Sequence, residues 1–253
     1  MNNIRSAFEH DKAIIVFITC GDPDLETTAA AIQEAIANGA NLIELGVPFS
    51  DPTAEGPGIQ ASYLRASKQG VTTDRIFEFF RDMRHKIDVP MVFVTYANVV
   101  FSYGAERFMA ACRDIGIGGL LVQDLPFEEQ DEFLPICRKY GVNLISTIAL
   151  TSGKRVARIA REAEGLLYIA TGCEDAGAAG IVKEDLAAIV KTIRENTAVP
   201  CVVDGGSSDA EEIRDRASMA DGVVIDLPII DLLAKYGRNA PEHIGAYIGS
   251  LKP

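Results

Sequence analysis

Runs of apolar residues with the length of a β-strand occur eight times along the chain, each followed by turn residues and then by a helical pattern. The predicted strands are 13–19, 41–47, 90–96, 119–123, 143–149, 166–171, 200–204 and 221–227. The predicted helices are 25–38, 59–68, 73–87, 105–115, 128–140, 153–163, 183–196 and 208–217, with further helical residues after 227. Continuous apolar strands are typical of a parallel sheet covered by helices. Eight such units in one chain favour a closed (β/α)8 barrel over an open doubly wound sheet.

The segments between these elements complete the predicted architecture. Residues 2–10 are predicted to form an extra amphipathic helix that covers one end of the barrel, and 97–104 is predicted to be a loop. Ser208 and Glu211 have the spacing of a helix capping box. No linker or low-complexity segment divides the chain, so residues 1–253 are predicted to form a single α/β domain.

A glutamate in the second predicted strand is the first candidate for chemistry. Side chains alternate between the two faces of a strand, so Glu44 shares a face with Leu42 and Gly46. A buried carboxylate without a partner is costly and tends to be held partly protonated. Glu44 is therefore a candidate general acid and base. The alternative is a structural glutamate satisfied by a buried hydroxyl or arginine.

Further candidates follow from the rule that barrels of this class place reactive groups where their strands end and in the loops that follow. Glu55 lies in the loop after the second strand, Asp124 ends the fourth and Tyr168 lies within the sixth. Thr19 and Tyr96 end the first and third strands, and apolar walls are expected from Phe17, Phe93, Leu121 and Ile148. Since no Ser-His-Asp set, phosphate-binding Walker loop or nicotinamide fingerprint is present, we expect proton-transfer chemistry without a cofactor or a metal.

Composition argues against several classes of partner and indicates the kind of protein. The net charge of −12 and the absence of a basic run argue against nucleic acid and anionic membranes. No apolar run has the length of a membrane span, and the N-terminal residues do not resemble a signal peptide. The five scattered cysteines show no zinc-binding spacing and are expected to be free thiols in a cytoplasmic protein.

Several sequence blocks together resemble the tryptophan synthase alpha chain family, in order and spacing, over essentially the whole chain. They are FITCGDPD at 17–24, LIELGVPFSDP at 42–52, GPGIQ at 56–60, VTYANVVFSYG at 94–104 and LLVQDLPFEE at 120–129. The resemblance implies a (β/α)8 barrel that cleaves indole-3-glycerol phosphate to indole and glyceraldehyde 3-phosphate. It also implies a pyridoxal-phosphate-bearing β subunit as the partner that accepts indole.

The resemblance also implies roles for individual residues. Glu44 would protonate indole C3 and accept the glycerol hydroxyl proton, and Glu55 would be the second carboxylate, at a position where the family usually has aspartate. The implied substrate-binding residues are Thr19, Asp124, Tyr168, Gly177, Gly206 and Ser207. The implied contacts with the β subunit are Pro48, Ser50 and Asp51.

The departures from the family lie in its phosphate-binding half. Asp204 replaces a glycine after the seventh strand, Asp226-Leu227 replaces glycine-serine after the eighth, and Ala176 replaces a threonine in the sixth loop. A carboxylate about 6 Å from a phosphate charge would cost roughly 3 kcal/mol at an effective dielectric near 20. Alternatively, both aspartates point away and pair with a lysine or arginine such as Lys183.

Three functions therefore remain open on the sequence. The chain is a tryptophan synthase alpha chain with a remodelled phosphate pocket, a paralogous lyase that acts on a non-phosphorylated ligand, or a non-catalytic partner of a β-type subunit. A divalent cation between Asp204 and Asp226 is a weaker alternative, because two carboxylates without a third ligand rarely suffice.

Overall fold

The computed structural model describes residues 3–171, 183–206 and 209–251, with side chains from 185 in the second range. In these ranges eight parallel strands pair in sequence order and close into a barrel, as the sequence predicted. The strands are β1 (Ala13–Thr19), β2 (Leu42–Gly46), β3 (Met91–Thr95), β4 (Ile117–Val122), β5 (Asn143–Ala149), β6 (Leu167–Ala170), β7 (Cys201–Asp204) and β8 (Gly222–Ile225).

Helices surround this barrel. Those in the described ranges are α1 (Leu25–Ala37), α2 (Pro57–Lys68), α3 (Thr73–Met83), α4 (Ala97–Tyr103), α5 (Ala105–Asp114), α6 (Leu134–Tyr140), α7 (Val156–Glu162), α8 (Lys183–Asn196), α9 (Ala210–Met219), α10 (Leu227–Tyr236) and α11 (Ala240–Leu251). Short 3-10 helices cover Ile4–Phe8, Arg84–Lys86, Phe127–Glu132, Leu150–Arg155 and Gly237–Asn239.

The alternation of side chains along each strand produces two apolar clusters. Ile43 and Leu45 of β2 point outward and pack beneath the helices, whereas Leu42 points into the barrel. Phe17 and Leu121 also line the interior, but Phe93 and Ile148 belong to the outer core and do not form walls of the cup. The inward direction predicted for Glu44 is confirmed, since it is in register with Phe17 and is 2% exposed.

The N-terminal helix closes the bottom of the barrel. It is a 3-10 helix, Ile4–Phe8, that begins at Asn3, whose side chain accepts a hydrogen bond from the Arg5 amide. Ile4 is 1% exposed and belongs to the inner cluster. Its Cδ1 lies 2.8 Å from where a Cβ on Gly119 would be, so the missing side chain at that position makes room for it.

Several predicted boundaries were wrong, and the structure shows why in each case. Residues 97–104 are not a loop: Ala97–Tyr103 is α4, whose first amide donates to the Asp124 carboxylate at 2.8 Å, and which ends at Gly104 with φ of +90°. The helix predicted from 208 begins at Ala210 with Asp209 as its cap, so the proposed capping box is not its start. The strand predicted to reach 227 ends at Ile225, because Leu227 already belongs to α10.

Two other findings bear on the remaining expectations. Cys20, Cys112, Cys137 and Cys201 are buried and free, while Cys173 lies outside the described residues. Among the helices described above, none has both the length and the apolar character that crossing a membrane requires.

Candidate active site

Glu44 lies at the centre of the barrel in an apolar layer. It is in register with Phe17 on one side and Val92 on the other. Within the described residues, its Oε1 is buried without a hydrogen-bond partner. Burial above all, and then the nearby Asp226 and Glu55 carboxylates, raise the Glu44 pKa to about 8. These contacts give no support to a structural glutamate satisfied by a hydroxyl or arginine, and they favour a group that holds a proton at neutral pH.

Glu55 approaches this layer from the loop between β2 and α2. The side-chain amide of Gln123, the residue after β4, donates to Glu55 Oε1 at 3.0 Å. The Glu55 backbone carbonyl accepts from Gln60 Nε2 at 2.7 Å. Because Gln123 follows β4, two strands away from β2 around the barrel, its hydrogen bond holds the Glu55 carboxylate over the mouth.

Tyr96 fixes the same loop from the end of β3. Its hydroxyl accepts a hydrogen bond from the Ala54 amide at 3.0 Å, and its ring stacks on Phe49 with centroids 5.0 Å apart. The loop thus has contacts on both sides of Glu55. The Glu55 carboxylate is therefore positioned by contacts of its loop with Tyr96 as well as by the hydrogen bond that its own side chain accepts from Gln123.

Tyr168 of β6 lies among the acidic groups of the mouth. Burial raises its pKa well above the usual range for tyrosine, with smaller contributions from Asp204 and Asp226 and then from Glu44 and Glu55. The phenol is therefore neutral across the physiological range and can act as a hydrogen-bond donor. Tyr168 is thus near Glu44 and Glu55, the two carboxylates predicted for catalysis, and near Asp204 and Asp226, the two that depart from the family.

The negative charge of Asp204 is compensated by a nearby cation. Arg216 of α9 places Nη1 3.2 Å from Asp204 Oδ1, and the two side chains are 15% and 11% exposed. The Thr171 amide donates to Asp204 Oδ2 at 2.6 Å, and the Thr171 hydroxyl donates to the other oxygen. Burial raises the Asp204 pKa, while the Thr171 hydrogen bonds and then Arg216 oppose that effect. The pairing expected from the sequence is therefore present for Asp204, with Arg216 as the cation.

Asp226 lies at the start of α10. It caps α10 through a hydrogen bond of 2.7 Å from the Leu227 amide to Oδ1. It also raises the pKa of Glu44, so its charge acts on the interior of the mouth. The alternative in which Asp226 pairs with a cation such as Lys183 stays a prediction, because the Lys183 side chain lies outside the described residues.

Gly206 follows Asp204 with φ of +57°, a left-handed conformation that favours glycine. A side chain there would also collide with the Arg216 guanidinium. The turn after β7 therefore depends on this glycine whether or not it binds a ligand.

Thr19 and Asp124 have structural partners in the described chain. The Thr19 hydroxyl is fully buried and hydrogen-bonds the Ser62 hydroxyl of α2 at 2.7 Å. Asp124 is exposed and caps α4, as described above. Their roles in substrate binding stay predictions.

The residues predicted to contact a partner lie on the loop after β2. Ser50 and Asp51 are exposed, and Pro48 is partly buried. Two other predicted substrate-binding residues, Gly177 and Ser207, lie outside the described residues, as does Ala176.

Sequence reasoning missed Gln123 and Arg216, whose contacts are described above, and Tyr63 of α2, which is buried in the inner cluster of the barrel. Gln123 directly precedes Asp124 at a strand end, and that position was the signal that could have identified it. Arg216 and Tyr63 lie on helices, where nothing in the pattern marks a side chain directed at the barrel. In the ranges that the structure covers, no three His, Cys, Asp or Glu side chains are grouped to hold a metal ion.

Comparisons with known proteins agree with this geometry. A sequence profile described as tryptophan synthase alpha chain matches residues 4–247. Curated alpha chains from Lacticaseibacillus casei and Citrifermentans bemidjiense are 38% and 41% identical, over 100% and 96% of this chain and 95% and 91% of their own lengths.

Solved structures give the same result. The tryptophan synthase alpha subunit in an α2β2 complex of Pyrococcus furiosus superposes with a TM-score of 0.86 at 29% identity, covering 95% of this chain and 98% of that one. A protein from Aquifex aeolicus superposes with a TM-score of 0.88 at 32% identity, covering 99% and 98%. The chain belongs to the tryptophan synthase alpha chain family, a family of lyases that act on indole-3-glycerol phosphate.

Proposed function

We propose that this chain cleaves indole-3-glycerol phosphate to indole and glyceraldehyde 3-phosphate, with Glu44 as general acid and base and Glu55 as the second carboxylate. The observation that carries the proposal is the buried Glu44 carboxyl, whose Oε1 has no partner among the described residues and whose pKa of about 8 keeps it protonated at neutral pH. A general acid works best when its pKa lies near the working pH.

The proposed reaction uses one proton on Glu44 twice. The Glu44 carboxyl donates its proton to C3 of the indole ring. The resulting carboxylate accepts the hydroxyl proton of the side-chain carbon bonded to C3, and that C–O bond becomes a carbonyl. The electron pair of the breaking carbon–carbon bond returns to the indole ring, so Glu44 ends protonated and the reaction consumes no water.

Glu55 has the complementary task. Protonation of C3 makes the indole nitrogen electron-poor, and a carboxylate that accepts the N–H hydrogen bond stabilises that charge. The Gln123 hydrogen bond of 3.0 Å and the Tyr96 contact with the loop support this assignment, because both hold Glu55 over the mouth. The longer glutamate side chain is accommodated here by contacts from β3 and β4.

In the phosphate half of the site, the surroundings of Asp204 are compatible with a phosphate bound nearby. The Arg216 guanidinium neutralises much of the Asp204 charge, and two Thr171 hydrogen bonds satisfy its oxygens. Ion pairs of this kind weaken the repulsion that an isolated carboxylate would exert on a phosphate. We infer that Thr19, Asp124, Tyr168, Gly177, Gly206 and Ser207 line the remainder of the substrate site.

A β-type subunit is the proposed partner. The related alpha subunit from Pyrococcus furiosus was solved within an α2β2 tryptophan synthase complex. The exposed Ser50 and Asp51 and the partly buried Pro48 lie on the loop that also carries Glu55. A partner that presses on this loop would therefore act on the second carboxylate directly. We propose that the assembly is cytoplasmic and that this chain itself needs no cofactor.

The test is turnover of indole-3-glycerol phosphate by the purified chain, alone and with a β subunit. Release of glyceraldehyde 3-phosphate is followed through NADH formation by a coupling dehydrogenase. We expect turnover that the Glu44→Gln variant lacks and the matched surface variant Glu78→Gln retains. Turnover by Glu44→Gln at the wild-type rate would remove Glu44 from the mechanism.

The Asp226 carboxylate favours a second candidate, a lyase that acts on a non-phosphorylated ligand. Asp226 stands where the family has a glycine and its charge reaches the mouth. Calorimetric titration with indole-3-propyl phosphate and with the corresponding alcohol distinguishes the two functions. Preference for the phosphate supports the alpha-chain reaction, preference for the alcohol supports the second candidate, and binding of neither by a folded chain supports a non-catalytic partner.

A further inference from the structure

A second buried polar atom lies in the inner cluster of the barrel and has no role in the mechanism above. Tyr63 of α2 is 1% exposed, and within the described residues its hydroxyl oxygen has no hydrogen-bond partner. Buried hydroxyl groups are nearly always paired, because an unpaired one loses its hydrogen bonds to water without replacement. A phenylalanine would fill the same space without that loss, so the presence of the hydroxyl indicates a function.

The packing of Tyr63 places its ring one layer nearer the mouth than Glu44. A Cβ on Gly46 would lie 3.2 Å from Tyr63 Cε1 and 2.6 Å from Phe17 Cζ. Gly46 is two residues beyond Glu44 on the same inward face of β2, in the direction of the mouth. The missing side chain at Gly46 therefore admits both aromatic rings above the Glu44 carboxyl.

The surroundings of the Tyr63 hydroxyl are acidic. It lies in the inner cluster together with Phe17 and Tyr96, and the charges of Glu55 and Glu44 both act on it. Burial, followed by Glu55, raises the Tyr63 pKa well above its usual value. The hydroxyl keeps its proton at physiological pH and is a neutral donor inside the same barrel as Glu44 Oε1, which also lacks a partner in the described chain.

We propose that the Tyr63 hydroxyl is a substrate-contacting group that donates a hydrogen bond to the glycerol hydroxyl oxygen from which Glu44 removes the proton. This inference rests on the proposed function. As the proton leaves, negative charge grows on that oxygen before the carbonyl forms, and a fixed donor stabilises it most at that stage. The substrate side chain would then satisfy both polar atoms that are left without partners in the described part of the inner cup.

The Tyr63→Phe variant tests this inference because it removes only the oxygen. We expect kcat/KM for indole-3-glycerol phosphate to fall about 10- to 100-fold, a loss typical of a missing donor to a developing oxyanion. The affinity for indole-3-propyl phosphate, which has no glycerol hydroxyls, should stay within about twofold of the wild type. The matched control is Tyr103→Phe, which removes a hydroxyl that donates to Asp74 on the outside of the barrel.

Thermal unfolding completes the test. Tyr63→Phe should melt at or above the wild-type temperature, since it loses a buried hydroxyl that has no partner among the described residues. Wild-type kcat/KM in Tyr63→Phe, an equal loss of affinity for the hydroxyl-free analogue, or a clearly lower melting temperature would each overturn the inference. An inactive wild type would instead refute the proposed function, and this inference with it, which separates the two failures.

Discussion

Replacement of Glu44 by glutamine should abolish activity and at the same time stabilise the protein. The Glu44 pKa is raised from an ordinary 4.5 to about 8. The difference of about 3.5 pKa units, at about 1.4 kcal/mol each, corresponds to a folding cost of about 5 kcal/mol once the group is fully ionised. At pH 7 the same relation gives about 3 kcal/mol.

The sign of this effect follows from proton binding. Between the unfolded and the folded pKa the folded chain binds more protons at Glu44 than the unfolded chain does. Stability therefore falls as the pH rises through this window, and a glutamine at position 44 removes that component. The unfolding free energy of Glu44→Gln minus that of the wild type should increase by about 4 kcal/mol between pH 5 and pH 8.5.

Two assays check this prediction. Urea unfolding of the wild type, Glu44→Gln and the exposed control Glu78→Gln at several pH values gives the stability difference, in which other titrating groups cancel. Turnover of indole-3-glycerol phosphate should fall by at least about 10³-fold in Glu44→Gln only. A stability difference that does not change with pH would refute the proposed burial of an uncompensated carboxyl, whatever the activity.

Four further outcomes are expected. The kcat of the wild type should decline as the pH rises through about 8, measured as a pH–rate profile, because Glu44 then loses the proton it donates. Glu55→Gln should lower kcat/KM by about 10²-fold with little change in melting temperature, and an unchanged kcat/KM would exclude it from the reaction. Arg216→Met should cost about 3 kcal/mol in urea unfolding because it leaves Asp204 buried without its cation, and Asp204→Asn in the same chain should restore part of that loss. Tyr96→Phe should cost about 1 kcal/mol and raise the KM, since the loop after β2 loses one anchor; equal KM values would show that the anchor is dispensable.

The barrel was predictable because strand alternation and helix periodicity depend on neighbouring residues only. The strands 13–19 and 143–149 and the helix 183–196 were predicted with the bounds that the structure has. The helix Ala97–Tyr103 was missed because its start depends on Asp124, a residue 27 positions further along the chain. A local pattern cannot show a cap supplied by another strand.

The candidate site was also predictable only as far as local sequence patterns reach. Glu44 was selected because a strand's period fixes which side chains share a face, and Tyr168 because it lies within a barrel strand; their roles stay predictions. The pairing of Asp204 with a lysine or arginine was one of two open alternatives, and Arg216 was not identified as the cation because it lies on the helix that follows β7. The Tyr63 hydroxyl, which has no partner in the described part of the chain, could not be identified from the sequence, where a tyrosine on an apolar helix face is typical of ordinary core.

The Ile4 side chain that fills the space beside Gly119 has a consequence for the order of events in a catalytic cycle. With the bottom of the barrel filled, the mouth is the route for substrate entry and for the departure of both products. The product that lies deeper in the barrel can leave only after the outer product has left. The order of release is therefore set by position in the pocket and not by the relative affinities of the two products. Because the deeper fragment leaves last, it is the product whose inhibition is expected to be competitive with substrate. A partner that removes indole at the mouth would speed this release.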